Sequence, residues 1–333
     1  MTIGRIETVS RETLENVIVR GGQPVVLAGA VADWPAVAMG WQSHEALFGY
    51  LKGFDSGQPV GVYVGPPDID GRFFYGATTA SENFRFGPAP LTQVLDRILQ
   101  ERASPHPSAV YMQSALIDAH MPGFAADNRL PLLPDAVRPR IWVGNRTVTR
   151  AHYDLNANIA CVLAGRRRAY LFPPDQLPNL YPGPFDRTIG GVPVSMVDIL
   201  NPDLERYPRF VEAQGVMQTV DLEPGDALYI PYGWWHEIHA LSPVNVLVNY
   251  WWHDDSGSHA AAYDALFHAI LAIRDIPADQ RAVWRTLFEH YVFGANGDPV
   301  AHLAPGDRGS LGQLDDALVA RIREAIGLSP SQA

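Results

Sequence analysis

Between Ala109 and Trp252 the chain reads as a quick succession of short apolar segments, and this restricts the fold more than any other feature. Residues 110–114, 140–144, 147–153, 158–163 and 167–172 follow one another across Gly-Asn-Arg and Ala-Gly-Arg turns. A Pro-rich excursion over residues 173–215 intervenes. Segments 217–222, 227–230, 235–240 and 244–252 then resume, with turns at Glu223-Pro-Gly225 and Ser242-Pro243. Many short strands at this spacing predict an antiparallel sandwich or barrel, an architecture that can enclose a ligand at its mouth.

The flanks read differently. Residues 10–100 have mixed α/β character: a helix over 11–19 capped by Ser10, a strand over 24–27 and a Trp34-Pro35 turn. Helical spacing follows over 41–51 and 91–100, with extended segments over 60–64 and 72–75. Past Ser256-Gly-Ser258, residues 259–273 and 278–291 each carry an apolar stripe at helical spacing. Joined by Asp275-Ile-Pro277, these two helices are expected to form an antiparallel pair that either packs on the barrel or dimerises. The expected organisation is an N-terminal α/β elaboration over 1–104 packing on the core, a catalytic core over 105–255, and a C-terminal helical dimerisation region over 256–333. No internal repeat interrupts this division.

Composition limits the class. Hydrophobic content of 47% and charged content of 18% are those of a globular protein, and no apolar run is long enough to span a bilayer. The N-terminus lacks the apolar core of a signal peptide, and the single cysteine excludes an intrachain disulfide, so a cytoplasmic location is expected. Cys161 lies in an apolar strand and reads as a buried small hydrophobe. A net charge of −11 argues against a nucleic-acid partner. The local exception, Arg146, Arg150, Arg166, Arg167 and Arg168, reads as solvated strand ends ahead of a polyanion site.

The chemistry is carried by Thr149-Arg-Ala-His152-Tyr-Asp154. A His-x-Asp pair on a strand presents both side chains to one face, because strand side chains alternate with period 2. A second His on a neighbouring strand, from Pro231-Tyr-Gly-Trp-Trp-His236, completes two imidazoles and one carboxylate on one side of a metal. That facial set leaves three positions open, which suits non-haem Fe(II) binding a co-substrate and O₂ together. The bare pattern is weak. With 11 His in the chain, roughly one His-x-Asp arises by chance, and His253-Asp-Asp255 has the same spacing. That second pair follows the end of a strand pattern, with no later strand to bring a partner, whereas His152 and His236 lie inside runs of strands. Context separates the two candidates.

These residues, together with Leu171-Phe-Pro-Pro-Asp-Gln176, Leu180-Tyr-Pro182, Pro224-Gly-Asp226-Ala-Leu-Tyr-Ile-Pro231 and Val248-Asn249-Tyr-Trp251, resemble the JmjC/cupin oxygenases. Within that family the phrases are most similar to those of the asparaginyl hydroxylases of hypoxia-inducible factor. The likeness covers about residues 105–255, with a weaker echo in Pro24-Val-Val-Leu-Ala-Gly and Trp34-Pro. It implies a double-stranded β-helix, or jelly roll, with His152, Asp154 and His236 as iron ligands near one mouth. It also implies Tyr111, Thr149, Asn158, Arg167 and Asn249 around 2-oxoglutarate. Asn158 lies four residues beyond Asp154 and shares its face if the strand continues; a satisfied polar strand residue is the equal alternative. The hydroxyls of Tyr111 and Thr149 rest on the resemblance alone. Arg167 stands where the family has a lysine for the distal carboxylate of 2-oxoglutarate. Arginine keeps the charge and adds a bidentate fork, and with Lys52 the only lysine among 25 basic residues the exchange reads as compositional preference. Arg166 or Arg168 is the alternative, and strand parity lets only one of these sets face inward.

The implied reaction couples oxidative decarboxylation of 2-oxoglutarate to hydroxylation of an unreactive C–H bond. A protein or peptide side chain is the expected substrate, because Leu180-Tyr-Pro182 and Asp203-Leu-Glu-Arg-Tyr-Pro208 extend the likeness away from the metal. Net charge then favours neutral or basic targets. Trp234, Trp235 and Trp251 read either as site walls or as core. The alternatives are an oxygenase of a small molecule, or a non-oxygenase metal-binding cupin acting as isomerase or ligand-binding regulator. The absence of a His-x-His motif counts against the isomerase. One cysteine cannot build a zinc cluster, which disfavours a histone demethylase.

Overall fold

The computed structural model describes residues 3–253 and 261–327. The chain forms two compact units, Met1–His253 and Asp254–Ala333.

In the first unit the strands are β1 (Gly4–Ile6), β2 (Val25–Leu27), β3 (Val60–Gly65), β4 (Arg85–Ala89), β5 (Ala109–Leu116), β6 (Pro139–Gly144) and β7 (Val148–Tyr153). They continue with β8 (Ala157–Ala164), β9 (Arg167–Phe172), β10 (Gln218–Leu222), β11 (Ala227–Ile230), β12 (Trp235–Ala240) and β13 (Asn245–Trp252). A nine-stranded sheet runs β1-β2-β11-β8-β13-β6-β5-β3-β4, and a four-stranded sheet runs β10-β9-β12-β7. From β6 to β9, and again from β10 to β13, consecutive strands alternate between the two sheets. That interleaving of antiparallel strands makes a jelly roll.

Burial explains the apolar runs. All eight residues of β8 are buried. Ile159, Cys161 and Leu163 join the core under the N-terminal helices, while Val162 meets Leu228 and Ile230 of β11 and Ala169 and Leu171 of β9 between the sheets. A strand covered on both faces needs no polar alternation. The outer face of the nine-stranded sheet packs against helices Pro35–Gln42, His44–Lys52 and Leu91–Arg102.

Several local expectations change. Trp34-Pro35 starts a helix with Pro at its first position, where the missing N–H costs nothing. Ser43 then takes an extended conformation and caps the next helix through the Ala46 N–H at 3.0 Å, so residues 41–51 are split. The 11–19 helix keeps its Ser10 cap but is α only over Arg11–Thr13 and π over Leu14–Val19. Arg72 and Tyr75 form isolated bridges in place of a strand. The short β1 and the Pro-containing edge strand β4 escape the apolar pattern.

The Pro-rich excursion covers the outer face of the four-stranded sheet. Its Leu180, Val197, Ile199 and Phe210 pack against Tyr170, Phe172 and Trp235.

In the second unit, helices Ala262–Ile273 and Ala278–Tyr291 bury none of their residues, and Leu271 is 87% exposed. The expected start of the first helix at 259 lies outside the described residues. Helix Asp316–Ala325 is capped by Asp315 and buries Leu318 and Val319. No helix among the described residues is long and apolar enough to cross a membrane.

Candidate metal centre and co-substrate cavity

β12 pairs antiparallel with β7, and His236 falls directly opposite His152. Asp154 is the first residue beyond β7. The ligand atoms of all three lie within 4.8 Å of one another. The Nε2 of His236 is 3.5 Å from Asp154 Oδ2, and that of His152 is 3.9 Å from Asp154 Oδ1. Each imidazole is oriented through its other nitrogen: His152 Nδ1 meets the Arg150 carbonyl at 2.8 Å, and His236 Nδ1 meets the Trp234 carbonyl at 3.0 Å. A carbonyl can only accept, so Nδ1 carries the proton and both Nε2 lone pairs are left to a metal. Burial, and secondarily the neighbouring His152, lowers the His236 pKa to about 4, so this ring is neutral at pH 7.

A β-bulge sets the geometry. Between the pairs His236↔His152 and Ile238↔Thr149, β12 advances two residues and β7 three. The extra residue lets Thr149 and His152 line the same cavity although strict alternation would oppose them. The bulged Ala151 donates its N–H to Glu237 Oε2 at 3.0 Å and accepts from the Ser195 N–H at 2.7 Å. Glu237 is 1% exposed, and its other oxygen meets His239 Nε2 at 2.7 Å. A buried carboxylate behind the ligand strand thus satisfies the donor that the bulge frees.

An inner cavity of about 60 Å³ extends from the triad between the sheets, lined by Tyr111, Thr149, Asn158, Arg167, Asn249 and Trp251 among others. All five residues that the resemblance places around 2-oxoglutarate therefore share one cavity with His152, Asp154 and His236. Asn158 arrives by a route other than the one expected. The strand ends at Tyr153, and Asn158 faces the cavity from β8 in the opposite sheet. A directed chain runs from Trp142 Nε1 to Asn249 Oδ1 at 2.7 Å and from Asn249 Nδ2 to Asn158 Oδ1 at 3.2 Å. Burial raises the Tyr111 pKa, while the charge of Arg167 and a hydrogen bond with Thr149 oppose that rise.

The arginine cluster separates. Arg168 is bound bidentately to Asp221 at 2.6 and 2.7 Å, and Arg166 pairs with Glu223 at 2.8 Å. Arg167 points inward at 3% exposure, with Nε and Nη2 buried and unpartnered. Asp154 Oδ2 is likewise buried without a hydrogen bond. An orphaned cation and an orphaned carboxylate oxygen in one cavity fit an anionic ligand at one end and a metal ion at the other. Arg150 is also buried, at 7%, so these arginines are not all solvated strand ends.

Of the three tryptophans, Trp251 lines the cavity, Trp234 belongs to the core between the sheets, and Trp235 packs on the far side of its strand. Trp142, unremarked in the sequence, takes the wall position and supplies a donor. His253 of the second His-x-Asp pair is exposed and contacts Asn156 Oδ1 at 2.7 Å; its Asp255 lies outside the described residues. Among the described residues, only the His152 cluster could hold a metal.

The profile of the cupin-like domain matches residues 11–258. The chain belongs to the cupin-like/JmjC domain family. This cupin-like chain is 34% identical over 141 residues to the HSPB1-associated protein 1 homolog of Danio rerio, covering 41% of this chain and 31% of the relative. It is 30% identical over 265 residues to the bifunctional peptidase and (3S)-lysyl hydroxylase JMJD7 of Homo sapiens, covering 69% and 77%. To the lysine-specific demethylase JMJ31 of Arabidopsis thaliana it is 39% identical over 101 residues, covering 30% and 18%. The match thus spans less than a third of the HSPB1-associated relative and most of JMJD7.

Proposed function

We propose that this chain is an Fe(II)- and 2-oxoglutarate-dependent dioxygenase that hydroxylates a protein or peptide side chain. One observation carries the reading: Asp154 Oδ2 and the Arg167 guanidinium stand unsatisfied in a single cavity whose other polar groups are neutral donors and acceptors. In this reading His152, Asp154 and His236 hold the metal, Arg167 takes the distal carboxylate of 2-oxoglutarate, and Tyr111, Thr149, Asn158 and Asn249 orient it. The iron supplies the activation of O₂. The overall change is balanced: one oxygen atom enters the substrate C–H bond, the other enters succinate, and carbon dioxide leaves. Trp142, Trp251 and the apolar side chains between the sheets exclude water from the reacting groups.

The hydroxylase name of JMJD7, the relative matched over most of its own length, supports a polypeptide target. The narrower likeness to the asparaginyl hydroxylases of hypoxia-inducible factor rests on the sequence phrases alone. A small-molecule substrate is the second reading, favoured by the modest size of the chamber beside the triad, about 280 Å³. Incubation with Fe(II), 2-oxoglutarate and ¹⁸O₂ over cell lysate, with mass spectrometry of protein and metabolite fractions, decides between them. Label in protein is expected; label in metabolites alone selects the second reading. Absence of succinate returns the chain to the non-oxygenase cupins.

The domain roles belong to the same proposal: residues 1–104 elaborate the core, 105–255 carry catalysis and 256–333 dimerise, in a cytoplasmic enzyme without a nucleic-acid partner. The exposed Leu266, Phe267, Leu271, Val283 and Trp284, on two helices that bury none of their residues, support a homodimer interface, since large apolar side chains gain by burial against a partner. Sedimentation of the full chain at micromolar concentration is expected to give a dimer; a monomer refutes that assignment.

A further inference from the structure

Above the triad lies an outer chamber of about 280 Å³, opening onto His152 and Asp154 and walled by Tyr63, Phe73, Trp142 and Trp251. Arg140 and Arg150 are among its lining residues, the Arg150 guanidinium being turned to Phe74 and the Val197 carbonyl, and the single carboxylate in the lining is Asp154. Arg140 lies two residues before Trp142 on β6 and so shares its face. Its Nη1 donates to the Ser114 carbonyl at 3.0 Å and meets Ser114 Oγ at 3.3 Å. Ser114 has φ +51°, at a bulge of β5 between Met112 and Ala115, so the backbone takes an uncommon conformation where it receives the guanidinium. On its other side Arg140 lies over the Trp251 ring at 5.8 Å. A guanidinium offers five N–H donors. Only Nη1 has a protein acceptor, and no carboxylate of the described residues pairs with Arg140. Arg150 is more fully held, by the Val197 carbonyl at 2.8 Å and the Phe74 ring at 4.5 Å.

Resting on the dioxygenase reading, we infer that the outer chamber seats a carboxylate of the substrate on Arg140 and rejects a lysine-like cation. A divalent metal, a dianionic co-substrate, Asp154 and Arg167 together carry no net charge. Arg140 therefore leaves the chamber positive. An ammonium group there meets a like charge behind aromatic walls that screen poorly. A carboxylate instead gains charge-assisted hydrogen bonds from a fork already positioned by Ser114 and Trp251. The chain's net charge of −11 has the opposite sign and acts on approach from a distance, whereas the chamber acts on what is finally seated. The carboxylate comes either from an acidic side chain of a polypeptide or from a free carboxylic acid.

Two measurements test this. The full chain loaded with Mn(II) and 2-oxoglutarate is titrated with benzoate and with benzylamine, following metal-enhanced relaxation of the probe's ring protons. Benzoate is expected to bind roughly ten-fold tighter or better, with the preference lost in Arg140→Met and reversed in Arg140→Glu; 2-oxoglutarate affinity reports the folding of each variant. Equal binding of the two probes to the unmodified chain, or tighter benzylamine, overturns the inference. Succinate release with Fe(II) and O₂ is then compared for nonapeptides centred on Asp, Glu or Lys and for N-acetylaspartate. Stimulation by the acidic peptides identifies a polypeptide source, stimulation by the free acid alone identifies a small molecule, and stronger stimulation by the Lys peptide overturns the inference. If no probe yields succinate the dioxygenase reading falls, and the binding measurement still decides for or against the carboxylate seat.

Discussion

The two sheets that face each other across the inner cavity contribute opposite kinds of group. The four-stranded sheet and its immediate continuation bring the charged groups and those that could hold a metal: His152, Asp154, His236 and Arg167. The nine-stranded sheet brings neutral ones to the same cavity: Tyr111, Trp142, Asn158 and Asn249. The difference follows from what backs each sheet. The neutral wall carries its own chain of hydrogen bonds from Trp142 to Asn158 in front of an apolar core, and leaves one neutral donor, Trp251 Nε1, without a partner. The charged wall has orphaned atoms in front and a polar support behind, where Glu237 and Ser195 hold the bulged Ala151. Charge without a counter-charge is tolerated only where a ligand completes it.

The largest expected effect breaks the charged wall outright. His152→Ala or Asp154→Ala is expected to abolish anaerobic Fe(II) binding, while Asn249→Ala on the neutral wall retains it; calorimetric titration of the three variants reads the contrast. Iron binding undiminished in the first two would remove the metal assignment. Next comes the support behind it. Glu237→Ala leaves the Ala151 N–H and His239 without their partner and is expected to cost about 3 kcal/mol of stability. Glu237→Gln should cost less, because its amide oxygen still accepts from Ala151. Denaturant unfolding checks both, and wild-type stability in the alanine variant would mean that the strand ladder alone maintains the bulge.

At the far end of the cavity, Arg167→Ala is expected to weaken 2-oxoglutarate binding by about 1.5–3 kcal/mol, the range for a charged hydrogen bond. Unchanged affinity would transfer the role to another group. The smallest effect sharpens the contrast from the neutral side: Trp142→Phe removes one donor and should weaken the co-substrate by about 1 kcal/mol. A loss as large as that of Arg167→Ala would show that the two walls do not differ as their charges imply.

Much of this was legible in the chain. From β5 to β13 each strand lies within two residues of its expected span, because apolar runs punctuated by Gly, Pro and Asn are local signals. Pairing His152 with His236 needed only neighbouring strands inside a barrel. The terminal elements were harder: β1 is three residues long, and β4 carries Gly87 and Pro88, so neither has a pattern to read.

By itself, then, the sequence determined a strand-rich sandwich, a His-x-Asp pair set within it, and a second His on a strand of its own. The tertiary structure alone decided which further groups converge on that pair. Asn158 reaches the cavity because the chain crosses to the other sheet after Asp154, and Thr149 because a bulge restores it to the face of His152. Arg167 is left unpaired because it faces the cavity while Asp221 and Glu223 meet its two neighbours on the other face, and Arg140 enters the chamber wall because Ser114 and Trp251 hold it there. Periodicity is a property of consecutive residues and survives in a linear chain. Bulges, sheet crossings and the choice of counter-charge depend on partners many tens of residues away, whose positions exist only once the sheets have paired.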